Sequence, residues 1–150
     1  NALATNGNMI SKDRVVVWDT TSNDGVTVNL STTSYDSAVA GVTIDDIPGT
    51  SRDNTAANDL GYDNWGRVRV FGRHASVSWD SSTLVGLGVG AIPAGTRVAV
   101  SAKNGGTAGV LRLASEDASG LNNVSKDSFG LLSESPGAGD KTADIFIKAM

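Results

Sequence analysis

The chain has no cysteine and one histidine, His74, among its 150 residues. The first absence excludes a disulfide framework, thiol chemistry and a thiolate zinc site, and the second leaves no multi-histidine metal centre to build. Charged residues make up only 19% of the chain and aromatics 5%. No apolar run approaches the roughly 20 residues that a spanning helix needs. The least polar stretch, 84–95, is interrupted by glycines and Pro93. The net charge is −4, and apart from Arg67, Arg69 and Arg73 the arginines are scattered, so the cationic footprint of a phosphate-backbone binder is missing. Neither nucleic acid nor a membrane is expected as a partner, and no metal or cofactor is expected.

Glycine, by contrast, is abundant: 18 residues, where average usage gives roughly 10. It separates short runs rich in β-branched residues, together with asparagine, aspartate and serine, at the spacing of an all-β fold, a small β-barrel or sandwich with long loops. Strands are expected over 14–18, 26–30, 38–44, 67–71, 75–79, 97–101, 109–113, 129–134 and 144–148. The clearest alternation is Val26-Thr27-Val28-Asn29-Leu30, with its apolar residues on one face. Asn23-Asp24-Gly25 reads as a hairpin turn before it, and Gly72-Arg73 as another. Pro93-Ala94-Gly95-Thr96 reads as a tight turn into the strand at Arg97, with proline presetting the first central φ. Segments 51–60 and 115–124 could each form a turn or two of helix. Residues 1–13 lack periodicity and are expected to form an extended arm, leaving 14–150 as a single β-rich domain.

The motifs that carry chemistry elsewhere are weak in this chain. Gly86-Leu87-Gly88-Val89-Gly90 has neither the dinucleotide spacing nor a following Gly-Lys-Ser/Thr, so a glycine-rich strand or loop is the better reading. The run from Asp19 to Gly25 is rich in oxygen donors but lacks the twelfth-position glutamate of a calcium loop. Asp45 and Asp46 are neighbours and point to opposite faces if extended, so they do not form an acid–base pair. His74 has many serines available as nucleophiles but no Gly-x-Ser-x-Gly elbow. Trp18, Trp65 and Trp79 could line a sugar-binding face, although a tryptophan that ends a β run more often caps a core or an interface. No catalytic residue is identified, and an enzyme is not expected.

Five short segments share their order with a known family. They are Ala40-Gly41-Val42, Gly66-Arg67-Val68-Arg69-Val70-Phe71-Gly72, Pro93-Ala94-Gly95-Thr96-Arg97-Val98, Phe129-Gly130-Leu131-Leu132-Ser133 and Ala143-Asp144-Ile145-Phe146-Ile147-Lys148. In this order the chain resembles the small β-rich family of tailed-phage capsid decoration, or cement, proteins over roughly residues 14 to 150. The chain departs from that family in the long insertion at 48–64 and in its lead into the first strand. The resemblance implies a virion protein on the outer capsid surface that trimerises at threefold or quasi-threefold positions. It would bridge subunits of the major capsid protein and have no catalytic residues. A homotrimer also follows from size, because a small β domain under load gains from a closed ring of contacts. Arg67, Arg69, Phe71 and Trp79 are the candidates for that oligomer interface, as arginine and aromatics are enriched there. Leu3, Met9 and Ile10 are the candidate anchors by which the arm docks on the capsid. The alternative is a surface-displayed module for carbohydrate or host adhesion, with Trp65 at its contact.

Overall fold

The computed structural model describes residues 2–4, 9–21, 26–31, 37–47, 65–79, 92–101, 108–114, 128–136 and 140–148. Within them the protein is all-β, with no helix. The strands are β1 (Ala2–Ala4), β2 (Val15–Trp18), β3 (Thr27–Leu30), β4 (Val39–Thr43), β5 (Trp65–Gly66), β6 (Val68–Arg69), β7 (Gly72–Ser78), β8 (Arg97–Ser101), β9 (Val110–Leu113), β10 (Gly130–Leu132) and β11 (Thr142–Ile147). They form a six-stranded sheet in the order β5-β1-β3-β2-β4-β6 and a five-stranded sheet in the order β7-β11-β10-β8-β9.

The first sheet is mostly antiparallel; β1 pairs parallel with β3. Its two edge strands, β5 and β6, are consecutive in the chain and separated only by Arg67. A flat six-stranded sheet would hold its edges more than about 20 Å apart, so this one is strongly curled. Its inner side wraps a small cluster of Ile10, Val16, Val28, Ala40 and Ile47, with Leu30 and Val68 packed against it. The other face of β2 and β4 supplies Val15, Val17, Val39 and Val42 to a larger cluster. The period-2 alternation of Val15-Val16-Val17 therefore serves two cores at once, which explains a strand with no polar face.

The second sheet completes that larger cluster with Val77, Val98, Val100, Leu111, Leu113, Leu132, Ala143, Ile145 and Ile147. It too curls: a single parallel bridge, Trp79↔Leu111, links the end of β7 to β9 at the far edge. Residues 13–15 lie across the same gap. The Ser78 N–H donates to Asp13 O at 3.1 Å, and the Val15 N–H donates to Gly109 O at 2.8 Å. The architecture is sandwich-like, two curled sheets sharing β2 and β4 between their cores, and is not a closed barrel.

Several expectations change. Gly72-Arg73 is not a hairpin turn: Gly72, at φ 96°, opens β7, and the chain passes from the first sheet to the second over Val70 and Phe71. Of the strand expected over 67–71 only Val68–Arg69 is strand, β6, and Arg67 separates it from β5 on the opposite edge of the sheet. The turn before Arg97 is present, with the Thr96 N–H donating to Pro93 O at 3.2 Å. Pro93 holds its first corner, however, and Gly95 at φ 84° supplies the positive dihedral. β2 and β3 form the expected hairpin. The turn at 23–25, the helical segments 51–60 and 115–124 and the glycine run 86–90 lie outside the described residues.

Of the expected arm, residues 2–4 and 10–13 are hydrogen-bonded to the rest of the chain. β1 is inserted between β3 and β5. Ile10 exchanges both backbone hydrogen bonds with Ile47, at 2.9 and 2.7 Å, and its side chain is buried in the inner cluster of the first sheet. The cause is the curl, which leaves a concave apolar surface on the chain itself, so Ile10 is buried without any neighbouring subunit.

Candidate interaction surface

The expected interface residues occupy four different settings. Trp79, 5% exposed, belongs to the core between the sheets, so it does not lie on a free surface. Its backbone N–H donates to Lys141 O, at 2.9 Å. The position of Trp79 at the closing bridge of the second sheet turns a large side chain inward. Arg67 is engaged within the chain: its guanidinium makes a bidentate contact with Asp45, Nε to Oδ2 at 2.6 Å and Nη2 to Oδ1 at 2.8 Å. Its carbonyl accepts from the Ile44 N–H at 2.8 Å. The guanidinium hydrogen bonds hold the Asp45 carboxyl below the usual carboxylate range and raise Arg67 in turn. Arg67 is thus a clamp at the point where the two edges of the first sheet meet. Arg69 donates from Nη1 to the Arg73 carbonyl, which ties β6 to β7.

Phe71 is the expected residue that remains open, at 57% exposure. Its ring packs edge-on against Phe146, with centroids 5.4 Å apart and an interplanar angle of 84°. Phe146 is 40% exposed and Val70 is also exposed. Phe146 was not among the residues singled out from sequence. The available signal was its position in Ala143-Asp144-Ile145-Phe146-Ile147-Lys148, where an aromatic side chain occupies the polar phase of the alternation. Beside it, Arg73 Nη2 lies 2.7 Å from Asp144 Oδ2. The Ser76 N–H donates to Asp144 Oδ1 at 2.8 Å. That contact supports Ser76 at φ 61°, where the β7–β11 register shifts. The aromatic pair therefore stands on a sheet whose local irregularity is pinned.

Of the proposed arm anchors, Ile10 is buried as described, Leu3 lies in β1, and Met9 is exposed. His74, 5% exposed, faces the junction between the sheets, with Nε2 2.9 Å from Asp13 Oδ1. Its Nδ1 is buried and has no partner, so the tautomer protonated on Nε2 donates to Asp13 and leaves no buried N–H unsatisfied. Asp13 itself adopts φ 61°. Next to it, burial lowers the Arg14 guanidinium below its ordinary value while Asp13 opposes the shift. This geometry makes His74 a structural tie between β7 and the start of β2.

The tryptophans do not form a common platform. Trp18 shares the face of Val16 and Val28, whereas register puts Trp65 on the face of Thr27 through Leu3. Among the described residues, no group of three or more His, Asp or Glu side chains is placed to hold a metal ion. Comparison with protein-family models, with curated proteins and with solved structures finds no match to this chain.

Proposed function

We propose that this protein is a non-enzymatic assembly module that binds the outer surface of an assembled tailed-phage capsid and stabilises it by bridging major capsid protein subunits, acting as a homotrimer. The observation that carries this reading is the exposed Phe71–Phe146 pair, which sets the β6–β7 connection against the outward side of β11, with the exposed Val70 next to Phe71 in the chain. The sandwich-like fold is of the class that the resemblance to decoration proteins implies. Adjacent exposed aromatics are a feature of protein–protein contact, and Phe146 stands on a strand whose inward side, Ala143, Ile145 and Ile147, is locked in the larger core. The test is thermal or chemical disruption of capsids with and without the protein. A higher disruption temperature in its presence is expected, and identical melting of the two preparations overturns the reading.

A further inference from the structure

The outward side of the second sheet carries an ordered arrangement of charge around its apolar centre. Register aligns Arg73, Phe146, Leu131 and Arg97 in one cross-strand row over four neighbouring strands. At the usual strand spacing the row is about 14 Å long, with a cation at each end. Lys148 and Asp144 flank Phe146 two positions to either side, and Asp144 is already engaged by Arg73 and the Ser76 N–H. Arg112 lies on the same side of the sheet, opposite Ala99, so that four cations and one carboxylate give the face a formal charge of +3. The whole chain holds 12 basic and 16 acidic side chains, so the remainder, eight basic and fifteen acidic, carries −7.

The shape at the centre also restricts the occupant. Rings at 84° to one another form a ridge, not the flat stacking platform that a sugar ring requires, and a ridge suits a cleft between protein side chains. We propose that this face docks head to tail on an acidic region of a second copy of the same chain, with Phe71 and Phe146 as apolar anchors and Arg73, Arg97 and Lys148 as the rim. Two such faces do not pair with each other, because that would set arginine rim against arginine rim. The aromatic centre falls short of the ~800 Å² per partner of a stable interface, so the contact is weak between free chains. It becomes effective where copies sit side by side, and in that respect it rests on the assembly reading above.

The test is sedimentation of the full chain from micromolar to about millimolar concentration, at low and high salt. The wild type is expected to associate with rising concentration, beyond the dimer, and less at high salt. Phe71→Ser combined with Phe146→Ser, and separately Arg97→Glu, are expected to weaken association by about tenfold or more while the circular dichroism of the fold is retained. A chain that stays monomeric throughout overturns the proposal. So does association that stops at a dimer, or one that the variants leave unchanged. Capsid binding is measured separately. A wild type that self-associates but does not bind capsids removes the decoration reading and keeps this contact. A protein that binds capsids but never self-associates does the reverse.

Discussion

The two sheets treat their apolar outward positions in opposite ways. In the first, Val16 points away from the core between the sheets and is still fully buried, because curling and the Ile10–Ile47 bridge cover it. In the second, Phe146 points away from the same core and remains 40% exposed. Both sit in strands whose neighbouring residues are buried, so the difference lies in what the chain itself supplies to cover them. Ile10, in the segment that sequence suggests as an arm reaching a partner, covers the first sheet instead. The second sheet leaves Phe146 open beside Phe71.

The sharpest way to break this comparison is at the junction that holds the sheets together. Gly109 adopts φ 71°, and a Cβ there would lie 2.5 Å from Leu30 Cδ2 and 2.6 Å from Val15 O. Gly109→Val combines a disfavoured dihedral with a clash against backbone, and is expected to cost about 4 kcal/mol or more, read as a lowered urea midpoint or failure to fold. A variant of near wild-type stability would mean that the two sheets are not locked at this point.

The comparison itself is tested by the same substitution at its two poles. Val16→Ser leaves a cavity and buries a hydroxyl, for an expected loss of about 3 kcal/mol. Phe146→Ser removes only an exposed edge-to-face contact and should cost less than about 1 kcal/mol. Equal losses in urea unfolding would mean that the outer face of the second sheet is as integral to the fold as that of the first. Between these lies Ile10→Ala, with an expected cost of about 2 kcal/mol. An unchanged midpoint there would restore the picture of a dispensable arm.

Strand positions were largely legible because alternation is local. The run 97–101 is β8, and 109–113, 38–44 and 144–148 overlap β9, β4 and β11. Pairing was not legible, since it depends on residues far apart in the chain. Nothing in Ala2-Leu3-Ala4 announces a strand set parallel to β3, and nothing in Gly66-Arg67-Val68 announces that its two sides join opposite edges of one sheet. The same limit governed the site. A tryptophan at a strand end looks alike in sequence whether it faces solvent or a closing bridge, so the sequence offers Trp79 for an interface although it is buried. Phe71 stands out in the sequence as an aromatic near two arginines, residue types enriched at interfaces. Its partner Phe146, 75 positions later, comes beside it only through the pairing of β7 with β11.

The smallest expected effect lies at the edge closure, where Asp45 and Arg67 meet. The pair is exposed, with 65% of the Arg67 side chain and 39% of the Asp45 side chain accessible, so solvent and salt screen it and its contribution at neutral pH is small. Its sign is nevertheless defined. Hydrogen bonding to Arg67 depresses the Asp45 carboxyl in the folded protein, so the folded state binds that proton less readily than the unfolded chain. The stabilisation is therefore present above the unfolded carboxylate value of about 3.9 and fades as the pH falls through the lower folded value. Asp45→Asn should unfold at a slightly lower urea concentration than the wild type near neutrality, and the two curves should converge in acid. High salt should narrow the gap at every pH. A difference that persists undiminished at low pH would show that Asp45 acts through its shape and backbone contacts, with its charge contributing nothing to holding the two edges of the first sheet together.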